Sequence, residues 1–354
     1  MINVQQILNK CEIAPGFFMK YCLLILLLIS ATIIFAQQNI GFSEIDERVR
    51  SIEPASAFDL AQKLTAPYST QAQKVRAIFS WIAEHVEYKA RHSANKNYSS
   101  QKKILLKPID SVVVNSADEF VAETVLRNLS AVCEGYARLF KTLCDYAGIQ
   151  SVLITGYARG NMNHIGTRFF SNHYWNAVFV DSAWHLIDVT WASGYFTYYG
   201  SNFIEHFDDF YFFTSPEIFI RDHFPDDLQW TLLAAPSAPE EFYNSPFKQR
   251  SFIKYNITSI IPAKGIIETA IGDTLNFTLQ TSDADADKRK SADTASLDSN
   301  MLAKYPSVVF LQPEIIGKKI KYTYIVSSAD MEWLHLIYNG DIILRYELKV
   351  KKDK

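Results

Sequence analysis

The chain has 354 residues, 48% of them hydrophobic and 14% aromatic, enough for a sizeable core and about two domains at roughly 150 residues each. Its formal charge is −3, with 35 Lys and Arg against 38 Asp and Glu, and no basic block is dense enough to track a phosphate backbone, which argues against nucleic acid as a partner.

The N-terminus reads as an export signal. Met19-Lys20-Tyr21 precedes an apolar run from Cys22 to Ile29 that continues through Ile33-Ile34-Phe35-Ala36 before Gln37. Residues 1–36 are therefore expected to be a signal peptide cleaved after Ala36, with Met19 as an alternative start. The run is shorter than the ~20 apolar residues of a spanning helix, so no stable membrane span is expected after cleavage. The exported chain would be periplasmic, at the cell surface or secreted.

Phe42 to Arg50 is a short amphipathic piece, and Pro54 and Pro67 mark breaks around Ala55 to Leu64. Ser69 or Thr70 can cap a stronger helix from Gln71 to Val86, whose Val75, Ile78, Phe79, Ile82 and Val86 recur at helical spacing. Residues 89–116 read as a polar surface loop. Ser116-Ala-Asp-Glu119 has capping-box spacing and opens a helix through Leu126.

After a break at Asn128-Leu-Ser130, the stretch Ala131-Val-Cys133-Glu-Gly135-Tyr136-Ala137 starts another helix, which Gly148 ends. A cysteine in a first helical turn meets partial positive charge and free N–H groups, an environment that favours thiolate and can hold an oxyanion. Removal of the signal would leave only Cys133 and Cys144. Eleven positions apart on one helix, they lie about 16 Å from each other, too far for a bridge limited to about 7 Å between Cα atoms. Both thiols should be free, with Cys144 a small buried hydrophobe.

Beyond Gly148 the pattern alternates. Gln150 to Tyr157, Asn172 to Val180 and Ala183 to Thr190 read as strands, with Asp181-Ser182 as the tight turn between the last two. That register sets His173, Trp175, Ala177 and Phe179 on one face with Trp184, Leu186, Asp188 and Thr190, so His173 and Asp188 become facing or diagonal neighbours. The spacing orients an imidazole on a carboxylate. Residues 195–235 are rich in aromatics and read as a packed extension over the sheet. His223-Phe-Pro-Asp-Asp227 has one histidine and two carboxylates, a weak metal signal read as a surface turn, and no metal or cofactor is expected.

Pro236-Ser-Ala-Pro239 opens a linker, 236–250. From Phe252 onward the pattern is β: Ile266 to Ala270, Thr274 to Leu279, Ser307 to Leu311, Ile320 to Val326, Leu334 to Tyr338 and Ile342 to Val350, with Asn339-Gly340 as a hairpin turn. This fits a β-sandwich over 251–354. Residues 282–300 are polar and read as a disordered insertion. Asp283, Asp285 and Asp287 mimic a calcium loop, but Lys288 and Thr294 stand where Gly and Glu are needed.

At Cys133-Glu-Gly135-Tyr136-Ala137, His173-Tyr-Trp-Asn176 and Trp184-His-Leu-Ile-Asp188-Val-Thr-Trp191, the sequence resembles the transglutaminase-like superfamily. The flanks Lys74 to Ile82 and Phe212 to Trp230 are similar to its kyphoscoliosis peptidase branch and bacterial relatives. The resemblance covers residues 45–245. It implies an α+β fold with a papain-like core, helices packed on an antiparallel sheet over 37–235, ahead of the all-β C-terminal region. It assigns Cys133 as nucleophile, His173 as general base and acid, and Asp188 as orienter of the imidazole, consistent with the residue-level reading. Tyr88, Tyr136, Trp175 and Trp191 are candidates for substrate or oxyanion contacts, with the Cys133 backbone N–H as another oxyanion donor. The expected function is acyl transfer on peptide or protein amides, cell-wall peptides included, by hydrolysis, deamidation or transamidation. The alternative is a non-enzymatic envelope protein whose core binds or scaffolds and whose β tail docks to a protein partner.

Overall fold

The computed structural model describes residues 41–89, 116–160, 165, 170–196, 203–282 and 307–351. The signal segment, nearly all of the 89–116 loop, and the 283–300 part of the polar insertion lie outside the described residues.

Among the described residues, three helices come first: α1 (Phe42–Val49), α2 (Ala57–Thr65) and α3 (Gln71–His85). Side-chain oxygens cap the last two, Ser56 accepting from the Asp59 N–H and Thr70 from the Gln73 N–H. A short strand β1 (Glu87–Tyr88) pairs in parallel with β2 (Ser130–Ala131), across the Ser116-capped helix α4 (Ala117–Asn128). Leu129, in the left-handed region at φ 46°, turns the chain out of α4 and into β2.

Helix α5 (Cys133–Tyr146) is the centre of the first core. It buries Tyr136, Ala137, Leu139, Phe140, Thr142, Leu143 and Cys144 between the preceding helices and a sheet. Gly148, at φ 67°, ends it. The Ile149 N–H donates to the Cys144 carbonyl at 2.9 Å and the Gly148 N–H to that of Asp145 at 3.0 Å, closing a Schellman motif.

The sheet is antiparallel in the order β8-β5-β4-β3-β9. Its strands are β3 (Ser151–Ala158), β4 (His173–Val180), β5 (Ala183–Ile187), β8 (Phe212–Thr214) and β9 (His223–Pro225). Asp181 and Ser182 both take positive φ, 50° and 66°, as a two-residue primed hairpin turn demands. Asn176 at the middle of β4 fastens α5 to the sheet, donating at 3.1 Å both to the Ala137 carbonyl and to that of Val152. A short helix α6 (Val189–Ala192) follows β5, and the aromatic-rich extension forms the hairpin β6 (Gly194–Phe196) and β7 (Phe203–Glu205) and the helix α7 (Pro216–Phe219).

The 236–250 stretch expected as a linker is structured. It carries α8 (Pro239–Asn244) and β10 (Phe247–Lys248), followed by α9 (Arg250–Lys254). Phe247 lies between the guanidinium groups of Arg159 at 4.1 Å and Arg345 at 5.0 Å, and buried aromatic and cation–π contacts of this kind outweigh the flexibility that Pro236 and Pro239 suggested.

The remaining strands are β11 (Ile257–Ile261), β12 (Ile266–Ala270), β13 (Thr274–Thr281), β14 (Val308–Leu311), β15 (Glu314–Ile316), β16 (Lys319–Ile325), β17 (Trp333–Tyr338) and β18 (Asp341–Lys351). They form two sheets, β11-β13-β16-β15 and β10-β18-β17-β14 with β12 on β18. Phe277, Leu279, Ile320 and Tyr322 of one sheet and Leu334, Leu336, Leu344 and Tyr346 of the other build a second core separate from the first. Asn339 and Gly340, at φ 51° and 83°, make the β17–β18 turn. The fold thus sets helices on an antiparallel sheet, with a C-terminal β region, as the α+β expectation had it. Among the described residues no helix is long and apolar enough to cross a membrane.

Candidate active site

Cys133 is the first residue of α5 and half-buried, and the residue before it, Val132, supplies no side-chain cap. The helix therefore leaves its first N–H groups and their partial positive charge facing the sulfur. Both Cys133 and Cys144 are free, and burial pushes the Cys144 thiol well above its ordinary range.

His173 begins β4. Its Nε2 lies 2.7 Å from Oδ2 of Asp188. Since a carboxylate only accepts, Nε2 carries the proton and Nδ1 is left for the thiol. Burial disfavours the imidazolium, but Asp188 and then Cys133 outweigh it and raise the His173 pKa to about 10.

Asp188 is not on a strand, as alternation suggested. Strand β5 stops at Ile187, and Asp188 caps α6, its Oδ1 accepting from the Trp191 N–H at 3.0 Å. The face is nevertheless the expected one. Ala177 opposes Leu186 and Asn176 opposes Ile187, so continuing the register sets Asp188 opposite Trp175 and diagonal to His173. Asp188 has no exposed surface. Burial alone would raise its pKa, but His173 and His223 overcome that and hold it well below the usual carboxylate range.

His223 is the residue that sequence reasoning misplaced. It is not in a surface turn but fully buried in β9, its Nε2 2.9 Å from Asp188 Oδ2 and its Nδ1 2.7 Å from Asp222 Oδ1. Asp222 in turn accepts from Nη2 of Arg221 at 2.9 Å. The pairing of β9 with β3, Gly156 opposite Pro225 and Ala158 opposite His223, brings it there. That pairing joins residues some seventy positions apart, and no local pattern encodes it. The Asp226 and Asp227 that follow do serve surface roles, Asp226 accepting from Ser171 and Asp227 capping a 3-10 turn.

Ligand atoms of His173, Asp188 and His223 fall within 4.8 Å of one another. Zinc–nitrogen and zinc–oxygen bonds of about 2 Å in tetrahedral array separate donors by more than 3 Å. The contacts of 2.7 and 2.9 Å are direct hydrogen bonds instead.

The aromatic candidates divide. Tyr88, held by β1 opposite Ala131, and Trp191 line a cleft of about 640 Å³ together with His173. Tyr88 stacks on Phe203 at 5.1 Å, and Trp191 packs against His223 at 4.4 Å. Tyr136 and Trp175 do not reach the cleft. Tyr136 is fully buried, its hydroxyl donating to the Val86 carbonyl, and Trp175 is the floor on which His173 rests, ring centroids 6.0 Å apart. Both are explained by their place on the core-facing sides of α5 and β4.

The family profile of the transglutaminase-like superfamily matches residues 59–189. Kyphoscoliosis peptidase of Mus musculus is 32% identical over 234 residues, 65% of this chain and 32% of that protein. Hillarin of Drosophila melanogaster is 29% identical over 237 residues, 62% of this chain and 26% of that protein. The chain thus spans a third or less of the length of these relatives. Among solved structures, the periplasmic domain of TgpA from Pseudomonas aeruginosa is similar at 19% identity and a TM-score of 0.27, over 43% of this chain and 49% of that one. Residues 59–189, which include Cys133, His173 and Asp188, are thus similar to the transglutaminase-like superfamily.

Proposed function

We propose that the protein is an exported, cysteine-dependent acyl-transfer enzyme acting on peptide or protein amides, with Cys133, His173 and Asp188 as its catalytic triad. The observation that carries this reading is the 2.7 Å hydrogen bond between buried His173 and Asp188, with Cys133, at the start of α5, among the groups that favour the charged His173 ring. In the first half-reaction the Cys133 sulfur attacks the amide carbonyl carbon. The C–N bond breaks, and the leaving amine takes a proton from the His173 imidazolium. The resulting thioester is attacked by water or by an amine, which gives its proton to His173. The acyl–sulfur bond then breaks, releasing an acid or a new amide. Asp188 fixes the ring and its tautomer throughout. The Cys133 N–H, at the start of α5, and Tyr88 in the cleft wall are the candidate oxyanion donors.

The test is incubation of the protein with mixed peptides, with and without a primary amine, followed by mass spectrometry. Cleaved or deamidated peptides, or amine adducts, that vanish with Cys133→Ala are the expected result. Unchanged peptides in both conditions would favour a binding or scaffolding module instead.

A further inference from the structure

Resting on that reading of Cys133 and His173, we propose that the cleft takes acyl substrates bearing a carboxylate beside the amide under attack, as acidic peptides do, and that Arg221 and Lys248 receive that carboxylate. The chain as a whole is negative, yet the cleft is not. Four fixed cations line it, Arg159, Arg221, Lys248 and Arg250, against the carboxylates of Asp208 and Asp222. Both acids are already engaged. Asp208 lies 2.5 Å from Arg250, and Asp222 accepts from Arg221 and faces His223.

The remaining positive charge has no carboxylate at ion-pair distance among the described residues. Arg159 spends its guanidinium on neutral acceptors, the Phe242 carbonyl at 2.7 Å and the Ser245 carbonyl at 2.8 Å, so its charge persists. Lys248, exposed on β10, is close enough to Arg159 and Arg221 to be repelled by both, and Glu241 is the acid that partly offsets them. Arg221 is the built element of the site. Its side chain is only 5% exposed, and while Nη2 is used on Asp222, Nε and Nη1 have no hydrogen-bond partner among the described residues. A buried guanidinium with unused N–H groups suits the two oxygens of a carboxylate, and a low-dielectric cleft concentrates an anion that bulk water would screen. The segment supplying Lys248 and Arg250 precedes the C-terminal strands, which gives the β region a part in forming the cleft wall.

The experiment compares alkylation of Cys133 by anionic iodoacetate and neutral iodoacetamide, followed on the Cys133 peptide by mass spectrometry. The ratio of the two rates in folded protein, divided by the ratio in urea-unfolded protein, reports the potential at the sulfur independently of its intrinsic reactivity. We expect a quotient of roughly threefold or more at low salt, falling toward one in 0.5 M NaCl. Lys248→Glu, at an exposed position, should lower the quotient about threefold, the iodoacetamide rate of the same variant serving as its reference. Arg221→Gln should do the same where it folds. A quotient at or below one, or one insensitive to Lys248→Glu, overturns the carboxylate subsite while leaving the triad standing. Failure of folded Cys133 to react faster than the unfolded thiol with iodoacetamide overturns the triad reading and the inference with it.

Discussion

Asp188 has two oxygens and three jobs. Oδ1 caps α6, and Oδ2 is shared by His173 and His223. Asp188→Asn removes the buried charge and leaves one acceptor oxygen where two serve the Trp191 N–H and two imidazoles, so a loss on the order of 3 kcal/mol in unfolding free energy is expected, read by urea titration. The same variant should slow Cys133 alkylation, because His173 loses the partner that fixes its tautomer. His223→Ala strips one hydrogen bond each from buried Asp188 and half-buried Asp222 and should cost about 1–3 kcal/mol in the same titration. A cost within a few tenths of wild type would mean that His223 is not holding Asp188. Cys133, His173 and Asp188 were legible because each sits at a local signal: a helix start, the first residue of β4, and the residue just past β5, the two strands being joined by a two-residue turn. His223 was not, because a histidine beside two aspartates looks like a turn until a distant strand pairs with it.

At the scale of elements, β9 can approach β3 closely because residue 156 is glycine. A Cβ there would stand 2.3 Å from the Phe224 carbonyl oxygen and 2.5 Å from the Trp175 ring. Gly156→Ala should therefore push β9 and His223 away from Asp188, destabilising by about 1–3 kcal/mol. A thermal melt together with the Cys133 alkylation rate checks this, since both should fall. Helix α5 and the β3–β4–β5 meander were readable from period and turn chemistry, as were six of the C-terminal strands. Asp181-Ser182 and Asn339-Gly340 each announced a hairpin. The short strands β10, β11 and β15 were not readable: β10 and β11 gain their hydrogen bonds from β18 and β13, farther along the chain, and β15 is only three residues long, too short to carry a pattern of its own.

For the molecule as a whole, the ion pair at the site couples folding to pH. The His173 pKa is raised from 6.5 to about 10, so its contribution to stability is complete below pH 6.5 and is lost as pH rises toward 10. Asp188 is shifted the other way, so its contribution is present above its ordinary 3.8 and lost as pH falls below that. Stability should decline from pH 6.5 to 10, and His173→Asn should flatten that decline in melts recorded across the range. Between the two cores, Phe247 is flanked by Arg159 of the first region and Arg345 of β18, and the cleft beside His173 includes residues contributed by the segment that links them.

The central claim is that Cys133 is a nucleophile driven by His173, and its most direct test is the iodoacetamide reaction of Cys133 at pH 7. Folded protein should react about tenfold or more faster than the same cysteine in unfolded protein, and His173→Ala should erase that advantage. A folded-state rate no higher than the unfolded one, or one indifferent to His173→Ala, would contradict the account.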